Sequence, residues 1–276
     1  MIEQSFKTQV ESGNRFEFGK NWQSFLDSLN DERIRVAKAS LTNMLGCNDL
    51  KGKVFLDIGS GSGLFSLVAR QLGAKVHSFD FDPSSVACAK ELKRRYFIND
   101  KDWVIEEGSV LDQQYIQSLG QFDIVYSWGV LHHTGKMWEA LTNAAIPVKN
   151  DGQLFIAIYN NQGGASKRWH WIKKTYNSNA ISKLLMTWLG VSYFASKALL
   201  VDIYKLRNPF KWYLGYQKQR GMSVTHDWID WLGGYPFEVA TPEEIFDFYK
   251  VKGFQLEKLT TRQGLGCNEF VFMKKV

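Results

Sequence analysis

VFLDIGSGSG, Val54 to Gly63, is the stretch on which the reading of this chain turns. Apolar residues around Asp57 predict a short buried strand, and glycines at 59, 61 and 63 predict a tight turn. LFSLVARQL then has helical spacing, and Gly73 ends it. A strand, a glycine-rich turn and a helix N-terminus let a nucleotide-type ligand approach the backbone closely. The bland alternative is a plain connection with nothing bound.

Outward from this turn, strands and helices alternate. KVHSFD predicts a second strand, and PSSVACAKELKRRYF a helix opened by Pro83 and serines. WVIEEG and FDIVYSW predict strands three and four, MWEALTNAAIPV a helix and QLFIAIYN a fifth strand. The alternation stops after Asn160 and resumes at TPEEIFDFYKVKG, a helix with a threonine cap. FQLEKLTTRQ and CNEFVFMKKV are then close enough to pair. The expected fold is α/β: a doubly wound, seven-stranded, mostly parallel sheet with a C-terminal antiparallel hairpin and a helical insertion after the fifth strand. The expected units are a helical cap (1–50), a ligand-binding core (51–160), an insertion (161–240) and a final helix and hairpin (241–276).

The glycine spacing is not the dinucleotide pattern G-x-G-x-x-G, because Leu64 stands where the third glycine belongs. Asp57 at the strand end would repel a pyrophosphate and suits a ligand carrying an ammonium group. DIGSGSG after a strand resembles the first motif of class I S-adenosylmethionine-dependent methyltransferases, and further signals follow in that family's order. The resemblance implies S-adenosylmethionine as cofactor, S-adenosylhomocysteine as product, and no metal. It implies cofactor contacts from Asp57, Gly59, Ser60, Gly61 and Gly63. Asp80, 21 residues after Gly59, and Phe81 would meet the ribose end. In EEGSVLD, Ser109 and Val110 would frame the adenine, although many members carry an acidic residue where Ser109 stands. FDIVYSWGVLHH resembles the fourth-strand motif, placing Ser127 and His132 beside the methionine part.

Composition limits the class of protein. Forty-five per cent hydrophobic and 22% charged residues among 276 describe a globular chain with ample core. Three dispersed cysteines match no zinc spacing or disulfide framework, and the polar start MIEQSFKTQVESG lacks a signal-peptide core. A cytoplasmic protein is expected, with peripheral contact at a membrane as an addition. Charge is uneven: residues 161–240 hold eleven Lys and Arg against four Asp and Glu, a net +7, which leaves −1 of the total +6 for the rest. That segment also holds six of ten tryptophans. Its longest uncharged apolar run, LLMTWLGVSYFAS, has thirteen residues, short of the ~20 a spanning helix needs.

The expected activity is methyl transfer to a small or lipid-like acceptor at oxygen, broadly as in ubiquinone-biosynthesis O-methyltransferases. Residues 165–220 would line the acceptor or touch a membrane surface, and their apolar character is compatible with a homodimer. An RNA methyltransferase using the basic insertion is the alternative, with nucleic acid less favoured because the segment is so apolar. A non-catalytic cofactor-binding or membrane-surface module is the third reading. His132, His133 and His226 are the candidates for a general base, whereas His77 reads as structural.

Overall fold

The computed structural model describes residues 2–19, 26, 29–205 and 224–275; for residues 2, 3, 224–227 and 230 only the backbone is described. NPFKWYLGYQKQRG lies outside the described residues, as does the end of the expected membrane-contact segment. Seven strands form one sheet: β1 (Val54–Ile58), β2 (Lys75–Asp80), β3 (Trp103–Glu107), β4 (Phe122–Trp128), β5 (Val148–Tyr159), β6 (Phe254–Thr260) and β7 (Cys267–Lys274). Their order is β3-β2-β1-β4-β5-β7-β6. β1 pairs in parallel with both β2 and β4, and only β7 runs antiparallel to its neighbours. The order reverses between β1 and β4, so a crevice opens beyond their carboxyl ends, where open α/β sheets bind ligands.

Helices α1 (Ile2–Glu11), α2 (Asp31–Leu45), α3 (Leu64–Gln71), α4 (Pro83–Tyr96), α5 (Gln113–Ser118) and α6 (Met137–Ala145) belong to the first half. On one sheet face Leu41, Leu67, Val68 and Leu92 bury Phe55 and Trp103; on the other, Met137, Leu141, Ile245 and Tyr249 bury Leu56, Ile156 and Phe272. β1 is covered on both faces, which explains the apolar residues at every position but Asp57. The insertion contributes α7 (Gly164–Ser178), α8 (Ala180–Tyr204) and α9 (Val224–Gly233), with Phe16, Tyr176 and Leu232 in a small core of their own. α10 (Pro242–Lys250) returns the chain to the sheet; Thr241 and Glu244 close a full capping box at its start.

One sequence expectation needs correcting. Thirteen uncharged residues become a single helix of 25, long and apolar enough by length and composition to cross a membrane. The linear count breaks at Lys183 and Lys197, but a helix places those two lysines within about 40° of each other on one side, which leaves the other side apolar.

Candidate functional site

The glycine turn is built by its own backbone. The N–H groups of Gly59 and Ser60 donate to the Phe79 carbonyl at 2.9 and 3.1 Å, and that of Gly63 to the Ser60 carbonyl at 2.8 Å. The Gly61 N–H donates to Asp80 Oδ2 at 2.9 Å. Four amides that would cradle a phosphate in a dinucleotide site are therefore already engaged. Room is what the turn offers instead. All three glycines have positive φ, and a Cβ on Gly59 would lie 2.4 Å from Val130 Cγ1. Gly63 faces the other way: its Cβ would lie 2.9 Å from Ala89 of α4, so this glycine serves packing between turn and helix, and it does not line the cavity. Gly59→Ala should cost about 1–2 kcal/mol for the left-handed backbone alone. Because Val130 must also move into the cavity, ligand affinity should fall at least about tenfold by calorimetry, with a melting point lower by about 2–8 °C.

Asp57 sits at the end of β1, fully buried. Trp103 Nε1 donates to Ser78 Oγ at 2.9 Å, Ser78 and Ser66 hydroxyls lie 2.7 Å apart, and Ser66 Oγ donates to Asp57 Oδ2 at 2.5 Å. This chain fixes the carboxylate against the crevice. Burial pushes the Asp57 carboxyl up to about 7, against the lowering effect of Ser66. Asp80, at the end of β2, accepts from Gly61 and, through Oδ1, from the Asp82 N–H at 2.9 Å. Burial raises it to about 6, although these bonds and Arg15 oppose the rise. Buried carboxylates on one wall favour a ligand with positive charge.

The crevice encloses about 1290 Å³, more than the ~300–1,000 Å³ of ordinary small-molecule sites. Asp57, Gly59, Ser60, Gly61, Asp80, Phe81, Ser109 and Val110 all line it. Ser109 Oγ accepts from the Leu111 N–H at 3.2 Å, and the Val110 carbonyl accepts from Asn143 Nδ2 at 2.9 Å, so the loop after β3 is held in shape. Ser60 Oγ and Tyr126 Oη are buried in this wall with no hydrogen-bond partner among the described residues. Two orphaned polar atoms next to a carboxylate fit a polar ligand arriving from outside.

Besides Gly63, two expected contacts are withdrawn from the wall. Ser127 is fully buried and donates to the Ile58 carbonyl at 3.0 Å, tying β4 to β1. His132 is also fully buried, with its ring 4.0 Å from that of Tyr159, and burial holds it well below the usual imidazole range. Its neighbour His133 lines the cavity instead. His133 Nδ1 lies 2.5 Å from the Pro236 carbonyl, so Nδ1 carries the proton and Nε2 keeps a lone pair. Burial lowers this imidazole to about 3, opposed by the Pro236 bond. His226 lies in α9, but its side chain lies outside the described residues. His77 bonds Glu106 at 3.0 Å, away from the crevice.

Other wall residues carry no motif. Arg15, just past α1, donates to Gln9 at 2.8 Å and to the His133 carbonyl at 3.2 Å, and its guanidinium lies 4.9 Å from the Phe81 ring. It thereby joins the N-terminal segment to both halves of the crevice. Phe16, Phe18, Tyr159, Phe194, Trp228 and Trp231 make the remaining end of the cavity aromatic. A short strap holds that end: the Glu238 N–H donates to the His132 carbonyl at 3.0 Å, and both Glu238 oxygens accept from the Met137 N–H at 3.1 Å. Among the described residues, no group of three or more His, Cys, Asp or Glu is arranged to hold a metal ion.

Comparisons with known proteins agree with this geometry. Residues 29–198 match the model of a methyltransferase domain family. Over 118 residues the chain is 30% identical to the ubiquinone biosynthesis O-methyltransferase of Glaesserella parasuis, covering 43% of this chain and 50% of that one. It is 38% identical over 69 residues to a ribosomal protein L11 methyltransferase of Methylococcus capsulatus, covering 25% and 24%. The chain thus spans half or less of the length of these curated relatives. In fold it is similar to magnesium protoporphyrin IX methyltransferase of Synechocystis with bound S-adenosylhomocysteine, with a TM-score of 0.53, 13% identity and coverage of 88% and 84%. An O-methyltransferase family protein of Burkholderia thailandensis gives a TM-score of 0.54 at 11% identity, covering 89% and 58%. With the family model spanning more than half of the residues, and a seven-stranded sheet around the expected turn, this chain belongs to the methyltransferase domain family.

Proposed function

We propose that this chain methylates a hydroxyl oxygen of a small, apolar, ring-bearing or lipid-like molecule. The observation that carries this reading is the two-part cavity: a carboxylate-lined half at the glycine turn, and an aromatic half under the insertion. Asp57 would hold the ammonium group of the methionine part, Asp80 the ribose hydroxyls, and Phe81, Ser109 and Val110 the adenine. Bound S-adenosylmethionine supplies an electrophilic methyl group on a sulfonium and leaves as S-adenosylhomocysteine. The protein's share is mainly orientation and exclusion of water, which supply most of the rate in a displacement of this kind. His133 Nε2 would accept the hydrogen bond of the acceptor hydroxyl and take its proton as the new C–O bond forms. The likeness to a ubiquinone biosynthesis O-methyltransferase favours oxygen as the atom methylated.

The test uses S-adenosylmethionine labelled in its methyl group and a panel of apolar phenols with and without alkyl tails. Label recovered on oxygen, with S-adenosylhomocysteine released in equal amount, is the expected result. Cofactor binding with no release against any acceptor would favour a non-catalytic module, and label on RNA alone would favour the nucleic-acid reading.

Binding should also depend on pH. With Asp57 raised to about 7 and Asp80 to about 6, both carboxyls hold protons in mildly acidic solution. A cationic ligand needs them ionised, so affinity should rise with pH and flatten above about 7. Between pH 5.5 and 7.5 the S-adenosylhomocysteine dissociation constant should fall at least about tenfold. Calorimetry should register proton release at the lower pH, and a flat profile would contradict the assigned contacts.

A further inference from the structure

Helix α8 presents an unusual surface. Of its 25 residues only Asp202 is buried, while Ile181 and Leu184 are each 72% exposed and Trp188 is 68% exposed. At ~100° per residue, Ile181, Leu185, Trp188, Leu199 and Ile203 fall within about 60° of one another on a single face. Exposed cations surround this face rather than share it: Arg168 borders the groove beside Leu189, Lys167 and Lys174 lie elsewhere on α7, and Lys183 and Lys197 lie about 150–170° round α8 from it. Asp202 is the one acidic residue from 161 to 205, and it is turned inward. The face is therefore apolar, and the segment that carries it is charged with one sign.

We propose that α8, with the adjoining edge of α7, is a seat for an anionic lipid bilayer, on which α8 lies in the plane of the interface. Apolar side chains would enter the headgroup–acyl boundary, and the positive field of the surrounding lysines and arginine would draw in anionic headgroups. Charge argues against a second copy, because a symmetric interface would bring two strongly basic segments together. Spacing argues against RNA, whose binding grooves carry polar rather than aliphatic residues between their cations.

The inner face of α8 holds it on the globule rather than across a membrane. A Cβ on Gly190 would lie 2.5 Å from Leu232 of α9, so the two helices meet closely there. Phe194 stacks on Trp169 with ring centroids 6.2 Å apart and planes 3° from parallel. Phe194 also lines the main cavity, while its other side borders a groove of about 400 Å³ with Arg168, Ile172, Met186 and Leu189. One aromatic ring thus separates a groove at the seat from the methyl-transfer cavity. That an acceptor with an aliphatic tail arrives from the bilayer by this groove rests on the proposed methyl-transfer reading; the seat itself does not.

The experiment sediments the full chain with vesicles of phosphatidylcholine, or of equal parts phosphatidylcholine and phosphatidylglycerol. Wild type should pellet at least about tenfold more with the anionic vesicles. The double variant Leu184→Glu, Trp188→Glu should fall to the level seen with neutral vesicles. Both residues are exposed and outside the cavity, so the variant should keep its thermal shift with S-adenosylhomocysteine. Four results would overturn the seat: wild type in the supernatant with both vesicles; a double variant that pellets like wild type; pelleting that resists alkaline carbonate, which marks a spanning helix; or a dimer that the double variant breaks, or salt-sensitive RNA retention, in a chain that ignores vesicles. Pelleting needs no turnover. An active chain that ignores vesicles sinks the seat alone, and an inactive chain that pellets sinks only the methyl-transfer reading.

Discussion

Asp80→Ala should weaken S-adenosylhomocysteine binding by about 10²–10³-fold. The size follows from the two hydrogen bonds a ribose diol would donate to one carboxylate, each worth ~1.5–3 kcal/mol when one partner is charged. A second loss adds to the first. Asp80 Oδ2 accepts from Gly61 and Oδ1 from Asp82, so alanine also frees the turn from the end of β2. Asp80→Asn separates the two effects. Its one carbonyl oxygen preserves the Gly61 bond, while its amide nitrogen cannot accept, so about tenfold weakening is expected from the lost second acceptor. Calorimetry at pH 8 reads the affinities there, where the wild-type carboxylate is ionised, and a melt without ligand reports the turn. An unchanged dissociation constant in the alanine variant would remove Asp80 from the cofactor site.

The glycine turn and Asp80 were legible in the sequence because their chemistry is local. A strand end, its turn and the next strand end are adjacent in any parallel sheet, so Asp57, Gly59 and Asp80 converge whatever surrounds them. Ser127 and His132 were misread for a related reason. The fourth-strand motif places the backbone, but side chains alternate along β4, and His132 and His133 diverge in the short helical turn that follows it, so one position decides between wall and core. Here Trp128 and His133 face the cavity, while Ser127 and His132 do not. Tyr126 lies within the quoted motif with nothing in the sequence to single it out; what distinguishes it is a buried Oη with no hydrogen-bond partner among the described residues.

Arg15 carried no signal at all. It reaches the crevice from the N-terminal segment, and a lone arginine before an unpatterned stretch has no spacing to identify it. The aromatic end of the cavity was visible only as composition. Six tryptophans in residues 161–240 announced a region unlike the rest, but not which rings face inward. Trp228 and Trp231 line the cavity, whereas Trp171 and Trp188 lie on the surface. Tertiary packing of α7, α8 and α9 makes that division, and no periodicity within one helix encodes it.

His133→Ala is the second large effect expected, and it should fall on turnover rather than on cofactor binding. The Pro236 carbonyl can only accept, so the proton sits on Nδ1 and Nε2 is left with its lone pair. Phe18 and Tyr159 flank the ring at 5.0 and 5.4 Å and keep it in place. Positioned bases contribute ~10²–10⁴-fold, most when their pKa lies near the working pH. Burial lowers His133 to about 3, so it is a weak base whose larger service is to orient the hydroxyl, and the lower end of that range applies. A kcat reduced by about 10²-fold, with an unchanged S-adenosylhomocysteine dissociation constant, is the expected result. The pH profile distinguishes this role from that of an ordinary histidine base. Because His133 stays neutral above about 3, wild-type kcat should show no limb near 6.5 that disappears in the variant. His133→Gln offers a carbonyl oxygen as acceptor near the same place and should recover part of the loss if orientation dominates. A variant that turns over at the wild-type rate would leave the wall of rings, rather than any base, to account for catalysis.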